Sequence, residues 1–337
     1  MFVQNDDPAG NTVVAYDRTS SGGLTQVGSY ATGGLGGVLA GSVVDHLASQ
    51  GSLTYDAASR LLYAVNAGSD TVTVFAVQGD HLSRIQVIGS GGRFPVSVTA
   101  DRGRVFVLNA RDGGSVQGFR LVGGRLVRIA AWHRGLGLDP EQTPEFTSTP
   151  GQIGFTPDGD RLVVTTKNGS NSILVFPARE GRLGAPAVTS LPGTVPFGFD
   201  FDAAGHLAVT EAGPSAVATF DVARNGTLTA RDVRATSQAA TCWLVANGRT
   251  VYASNAGSGT LSSYRVGAAG GLTALGNTAT DPGTVDATVS RDGGYLYAQT
   301  GATGTVDAFR IGSDGSLTAT GSVTVPNAVG GEGIVAL

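Results

Sequence analysis

One acidic residue, Glu211, interrupts a phrase that this chain repeats many times. We assign it to a loop position at which other copies carry Ala67, Ala110 and Ala256. A carboxylate held in place beside a ligand can take a proton from water and so act as a general base. The alternative is an ordinary solvated loop charge, and the residue types alone leave both interpretations open.

A second group of chemistry-bearing residues lies in two long segments between repeats. Trp132, His133 and Arg134 stand in a row of types common at binding sites, and His46 lies in the other segment. If Glu211 activates water, His133 or Arg134 would polarise a carbonyl or stabilise an oxyanion. The alternative is a cap, in which the leucines and valines of these segments pack over the end of the fold.

A third group lies at matching points of the repeated units, where one strand of each unit begins. These positions hold Gln152, Asp286 and Glu332, with Thr241 and Gln50 as weaker members. Two neighbouring carboxylates suit acid–base chemistry, because proximity separates their pKa values, and they also suit Ca²⁺. A polar channel lining without chemistry is equally consistent with the pattern.

The repeated phrase itself defines the fold. It consists of a β-prone apolar run, a turn rich in Asn, Gly and Asp, and a second run that alternates apolar residues with Thr or Ser. It recurs at intervals of roughly 40 to 60 residues, the period range of propeller blades. The copies begin near residues 2, 61, 104, 161, 206, 249 and 295.

Two further segments complete each unit to four strands. A Gly-containing turn and a polar strand follow the repeated phrase, and an apolar strand ending in a turn such as Pro157-Asp158-Gly159 precedes it. The chain begins on a second strand and ends on residues 332–337, which match an inner strand. We therefore predict an all-β, single-domain seven-bladed propeller over 1–337, with four-stranded antiparallel blades, whose C-terminal strand completes the N-terminal blade.

Strand alternation assigns the loops to two ends of the propeller. The loops between second and third strands and the connections from outer to inner strands share one end, here called the upper face; the opposite end is the lower face. Two long outer-to-inner connections, 33–50 and 132–149, are predicted to lie together on the upper face. Loops longer than a fold requires often carry function, so we expect any site there.

Composition excludes several classes of protein. The net charge of −4 and the lack of a basic stripe argue against nucleic-acid binding, and no apolar run approaches the ~20 residues that span a bilayer. No metal-ligand spacing or cofactor motif is present, and we expect a monomer. Met1 stands directly before a strand, as in a cytoplasmic protein or in a secreted one whose leader has been removed.

The phrases FTPDGDRL, YASNAGS and GxLT resemble those of the seven-bladed propeller lactonases, which include propeller-type 6-phosphogluconolactonases and carboxymuconate-lactonising enzymes. The resemblance covers the whole chain and implies the fold more than the activity. The histidines that the family places before its Phe-x-Pro-Asp-Gly phrase are replaced by Gly151-Gln152 and neighbours, and its Pro-Arg-His run by Pro196-Phe197-Gly198. A family arginine corresponds to Ala256, and only the family glutamate persists, as Glu211.

The resemblance therefore implies two functions. One is hydrolysis of a small neutral, sugar-like lactone at the channel mouth, since the cationic partners of an anionic substrate are missing. The other is a non-catalytic module whose insertions bind a protein or a glycan.

Overall fold

The computed structural model describes residues 1–179 and 183–337, and within these ranges the chain forms seven four-stranded antiparallel sheets. Blade 1 contains β1 (Phe2–Gln4), β2 (Thr12–Arg18) and β3 (Leu24–Ala31), with β28 (Ile334–Val335) as its innermost strand. Blade 2 contains β4 (Leu53–Asp56), β5 (Leu61–Asn66), β6 (Thr71–Gln78) and β7 (His81–Gly89). Blade 3 contains β8 (Pro95–Asp101), β9 (Arg104–Asn109), β10 (Ser115–Val122) and β11 (Arg125–Gly135).

The remaining blades follow in chain order. Blade 4 contains β12 (Gln152–Phe155), β13 (Arg161–Thr165), β14 (Ser172–Pro177) and β15 (Ala187–Ser190). Blade 5 contains β16 (Pro196–Phe201), β17 (Leu207–Glu211), β18 (Ala216–Val222) and β19 (Leu228–Ala235). Blade 6 contains β20 (Thr241–Asn247), β21 (Thr250–Asn255), β22 (Thr260–Val266) and β23 (Leu272–Ala279), and blade 7 contains β24 (Thr284–Val289), β25 (Tyr295–Thr300), β26 (Thr305–Ile311) and β27 (Leu317–Thr324).

Helical structure is confined to single turns in the described ranges. These are α1 (Glu145–Ser148), α2 (Lys167–Ser170) and a 3₁₀ turn at Ala67–Ser69. Within those ranges, none of the helical segments has the length and apolar character needed to cross a membrane.

Burial explains why each unit is a blade. The second strands are almost wholly buried, as in β5, because both faces of each sheet pack against neighbouring blades, whereas outer strands such as β7 alternate exposed and covered residues. One core cluster joins Val3 and Tyr16 of blade 1 to Tyr297 and Val306 of blade 7. Sheet-on-sheet packing of this kind makes the blade junctions the hydrophobic core of the ring.

The ring is closed by the two ends of the chain, as the sequence predicted. Phe2 of β1 pairs with Val335 of β28, and Val3 pairs with Ile334. Each inner strand contacts the inner strand of the next blade, and β28 contacts both β24 and β4. A closed ring leaves no sheet edge at the junction of blades 7 and 1.

The two long connections contact each other at one end of the channel. The Phe146 amide donates to the Ala40 carbonyl at 3.3 Å, and the Ala40 amide donates to Glu145 Oε2 at 2.7 Å. The predicted start of the second connection at residue 132 was wrong, because β11 continues through Gly135. Its residues 133–135 pair with β10, which keeps them in the outer strand of blade 3.

Deleting residues 333–337 removes β28 and exposes the inner edge of β1. Because Ile334 is 4% exposed and packs between blades 1 and 7, we expect a loss of at least about 3–5 kcal/mol, or failure to fold. Thermal unfolding followed by circular dichroism measures this, with deletion of the half-exposed Leu337 alone as the control. Equal melting temperatures for the five-residue deletion and the intact chain would contradict the role of β28 in closure.

Candidate functional site

The first insertion covers the mouth of the central channel. The Gln50 side-chain amide bonds to blade 6 on the far side, with Nε2 donating to the Leu244 carbonyl at 2.7 Å and Oε1 accepting from the Leu244 amide at 3.0 Å. Trp243 Nε1 donates to the Ser49 carbonyl at 2.6 Å, and Leu39 and Leu47 are fully buried. These contacts match the interpretation of this segment as a cap.

Lys167, the only lysine of the sequence, ties both insertions to blade 4. Its side chain is buried, and Nζ donates to the carbonyls of Ala48 at 2.6 Å and Phe146 at 2.5 Å and to Thr149 Oγ1 at 2.9 Å. These three acceptors use all three ammonium protons. Burial lowers the pKa of Lys167 to about 7, against the opposing effect of Asp45.

Lys167 occupies a fixed position of the repeat. It aligns with the residue that directly follows the second strand of blade 2, at the upper face. Three alanines occupy the equivalent place in blades 2, 3 and 6, and Asp6 occupies it in blade 1. Asp6 is also fully buried, where its carboxylate accepts from Gln4 Nε2 at 2.5 Å and from the Glu332 amide at 2.9 Å. Burial raises the pKa of Asp6 to about 7.

Asp286 and Glu332 lie beside each other in the channel, close enough for the charge of Asp286 to act on Glu332. Both are buried, and Glu332 Oε1 also accepts from the amides of Gly51 at 2.6 Å and Ser52 at 3.3 Å. Glu332 Oε2 is buried without a hydrogen-bond partner among the described residues. Burial raises the pKa of Asp286 to about 7, and a protonated carboxyl group on either residue could donate to the other. The pKa of Glu332 is also raised, mainly by burial and next by the negative charge of Asp286.

Asp45 completes this buried acidic group. Its carboxylate accepts from the amides of Leu47 and Ser49, both at 2.8 Å, and burial raises its pKa to about 6. Among the residues that the structure describes, no set of three or more His, Cys, Asp or Glu side chains has an arrangement that could hold a metal ion. Burial raises the pKa of Cys242 to about 12, so this thiol is not a nucleophile near neutral pH.

Gln152 and His46 make structural contacts with neighbouring segments of the fold. Gln152 Nε2 donates to the Phe199 carbonyl at 3.1 Å, and its Oε1 accepts from the Phe199 amide at 2.7 Å, which joins blades 4 and 5. The His46 ring rests against Gly330, its backbone amide donates to the Gly330 carbonyl at 2.8 Å, and burial lowers the pKa of the ring.

Trp132, His133 and Arg134 lie on the outer strand of blade 3. Trp132 is 2% exposed and stacks on Phe106 at a centroid distance of 5.5 Å, whereas His133 is exposed and pairs with Gln117. Arg134 donates to the carbonyls of Ala131, His133 and Leu183. Blade 4 lies between this strand and Glu211, so the structure does not bring the three predicted catalytic side chains together.

Glu211 lies at the end of β17 and is 5% exposed, so its predicted place in a surface loop was wrong. The strand register aligns it with the recurring asparagines Asn66 and Asn255, and aligns Ala212 with the alanines that follow them. The asparagines bond to third-strand hydroxyls, as when Asn66 Nδ2 donates to Thr71 Oγ1 and Thr73 Oγ1.

In blade 5 the equivalent third-strand hydroxyls are missing. Glu211 pairs with Ala216, and Ala218 follows two residues later on the same face of β18. Within the described part of the chain, the Glu211 carboxylate makes no hydrogen bond or ion pair, and burial raises its pKa. A buried carboxylate that is unpaired among the described residues and has a raised pKa is chemically able to accept a proton from water.

The sequence contains a signal for the buried ionic group, separate from the repeated motifs. Lys167 is the only lysine, and it stands with Asp6 at a repeat position otherwise held by alanine in several blades. Asp45 gave no comparable signal, because its burial depends on how the first insertion crosses the channel.

The buried carboxyl groups make the stability of the fold depend on pH. Between pH ~4 and ~7 the folded protein holds protons on Asp6 and Asp286 that the unfolded chain has released, so stability falls as pH rises through this window. Asp286→Asn replaces the carboxyl group with an amide, which can donate a hydrogen bond to Glu332 without first binding a proton from solution. At pH 8 we expect the free energy of unfolding of this variant to exceed that of the parent by at least about 1 kcal/mol. We also expect its stability to vary less between pH 5 and 8 than that of the parent.

Melting temperatures measured across pH 5–8 test this, with the exposed Asp80→Asn as the matched control. A variant as steeply pH-dependent as the parent, or less stable than it at pH 8, would show that Asp286 and Glu332 do not share a proton.

The fold is that of several solved propellers, although no family model and no curated protein matches the sequence. The periplasmic gluconolactonase of Pseudomonas aeruginosa superposes with a TM-score of 0.77 at 18% identity, over 98% of this chain and 96% of that one. A Bacteroides uniformis structure whose description proposes a 6-phosphogluconolactonase gives 0.78 at 16% identity, over 94% and 93%. A Lactobacillus plantarum protein gives 0.77 at 20%, over 95% and 93%. The resemblance to the seven-bladed propeller lactonases is therefore confirmed at the level of the fold.

Proposed function

We propose that this chain is a lactonase-type propeller hydrolase that opens a small neutral lactone, with Glu211 as the general base. One observation carries the proposal: an unpaired carboxylate with a raised pKa lies at the upper end of blade 5, where other blades have a satisfied asparagine. Perturbed, unpaired ionisable groups are concentrated at functional sites.

The reaction needs one base and one water. Glu211 accepts a proton as the water oxygen attacks the lactone carbonyl, the ring C–O bond then breaks, and the departing alkoxide takes the proton back to give a hydroxy acid. His133 and Arg134 are left out of this scheme because they lie on the outer strand of blade 3.

A neutral substrate is favoured by the state of two cations on the upper face. Lys167 directs its three donors at neutral oxygens of the insertions, and Arg111 on the upper face is paired with Glu145 at 2.7 Å. Neither residue offers a free charge to an anionic lactone.

Glu211→Gln should fold like the parent, because the side chain keeps its shape and loses no hydrogen bond. It should lower kcat/KM by about 100-fold to 10,000-fold, the usual contribution of a positioned base. In the parent, kcat/KM should rise with pH as Glu211 ionises, since its raised pKa moves that transition toward neutrality. Ring opening of a lactone panel, followed with a pH indicator, measures both effects.

The exposed Glu141→Gln, on the same face, is the matched control and should keep full activity. Equal turnover by Glu211→Gln and the parent, on any lactone that the parent opens, would rule out Glu211 as the base.

A second candidate, a non-catalytic binding module, is favoured by the covered channel mouth and by exposed apolar side chains on the same face. Val43 is 79% exposed in the first insertion, and Val329 is 62% exposed in the connection beside it. If the parent opens no lactone of the panel, this function takes precedence. Binding to a glycan array that is lost in Val43→Asp, with melting unchanged, would then support it.

A further inference from the structure

A groove of about 700 Å³ lies on the lower face, on the side of the molecule opposite Glu211. It is formed by turn and strand residues of blades 3 and 4, and its charged lining consists of Arg102, Arg104, Arg120, Arg179 and Asp160. Four guanidinium groups in one groove are unexpected in a chain with a net charge of −4.

Arg104 forms the fixed wall of the groove. Its guanidinium donates to the Asp101 carboxylate and to the carbonyls of Asp101, Gly159 and Ala178, and it lies 4.8 Å from the centroid of Phe155. Its side chain is 15% exposed, so its position is determined by the fold.

The other three arginines keep donors for a ligand. Among the described residues, Arg102, 66% exposed, donates one hydrogen bond, to the Asp158 carbonyl at 3.0 Å, and lies 3.8 Å from the Asp101 carboxylate. Within the same ranges Arg179, 59% exposed, donates only to Asp160. Arg120 makes no hydrogen bond within the described residues; its guanidinium carbon lies 5.6 Å from the centroid of Trp132. Because Trp132 is itself stacked on Phe106, this contact holds Arg120 against a rigid surface.

We propose that this groove binds a small dianion that carries phosphate or carboxylate groups. Among the described residues around the groove, the carboxylates of Asp101, Asp158 and Asp160 face these four guanidinium groups and that of Arg161, which pairs with Asp158. Two positive charges are therefore left uncompensated. Guanidinium forks match the paired oxygens of phosphates and carboxylates. The charges converge in one groove and do not follow a stripe, as they would for a nucleic acid.

Isothermal titration calorimetry of the whole chain tests the proposal, with inorganic phosphate, glycerol 2-phosphate and succinate as separate probes. We expect at least one to bind with one-to-one stoichiometry, and the affinity to fall as salt is raised from ~0.01 M to ~0.15 M. Comparison of the phosphate arms with succinate identifies the preferred group.

Arg120→Gln should weaken binding at least about tenfold, because it removes one charge-assisted donor group. The matched control is Arg310→Gln: Arg310 follows Phe309 in β26 as Arg120 follows Phe119 in β10, is also exposed, and lies in blade 7. It should bind like the parent. Arg102→Gln provides a second variant, with melting curves for all three.

No detectable binding of any probe would overturn the proposal. So would binding that Arg120→Gln and Arg102→Gln leave unchanged, or that Arg310→Gln weakens as much. Lactone turnover is a separate measurement, so neither result depends on the assignment of Glu211.

Discussion

The upper face depends on one buried ammonium group. Lys167 is the point at which the first insertion, the second insertion and blade 4 meet, and each of its three protons has a separate oxygen. A buried charge is tolerated only when it is hydrogen-bonded in full, and the acceptors are in turn left unsatisfied if it is removed. The Ala48 carbonyl adjoins Ser49 and Gln50, which cross to blade 6, so the contact that fixes Lys167 also fixes the cap over the channel. A left-handed backbone conformation, with φ of 47°, places this side chain under the cap.

Charge balance then determines the protonation state of the acidic residues in the channel. If Asp6, Asp45, Asp286 and Glu332 were all ionised beside Lys167, three negative charges would be uncompensated in a buried space. Desolvation makes that state costly, and protonation is the least costly remedy because it converts repulsion between Asp286 and Glu332 into a hydrogen bond. Amides of Gly51 and Ser52 hold the Glu332 carboxyl in place, so Glu332 joins the closing segment of blade 1 to blade 2. The acidic group therefore has a structural role that is independent of any ligand.

Much of this arrangement could be predicted from the sequence, because it depends on repetition. The period of the phrase predicted seven blades and their closure, and the alignment of inner strands predicted that Asp286 and Glu332 would be neighbours. Two errors have local causes. The strand β11 is longer than its equivalents, so the prediction of a connection that begins at Trp132 is wrong. In blade 5 the letters Thr-Glu-Ala-Gly suggest that Glu211 matches the alanine of Asn-Ala-Gly, whereas the strand register matches it to the asparagine. The environment of Lys167 could not be predicted, because its acceptors come from two non-repeating segments whose paths depend on tertiary contacts.

The strand register places Glu211, an acidic residue, at a position that asparagine occupies in other blades. In blades 2 and 6 an asparagine ends the second strand, and hydroxyls of the third strand satisfy it, as Thr260 and Ser262 satisfy Asn255. In blade 5 the hydroxyls are replaced by Ala216 and Ala218, which removes the polar partners and opens room for one more methylene and a carboxylate. The backbone pairing of the blade is unchanged, so the cost is restricted to the desolvation of a single side chain, and that desolvation is also what raises its pKa. Local departures from a repeat that lower stability without structural gain are expected at functional sites. On this argument the two alanines are as much a part of the candidate site as Glu211, because restoring their hydroxyls would return the carboxylate to the satisfied, unreactive state of the asparagines.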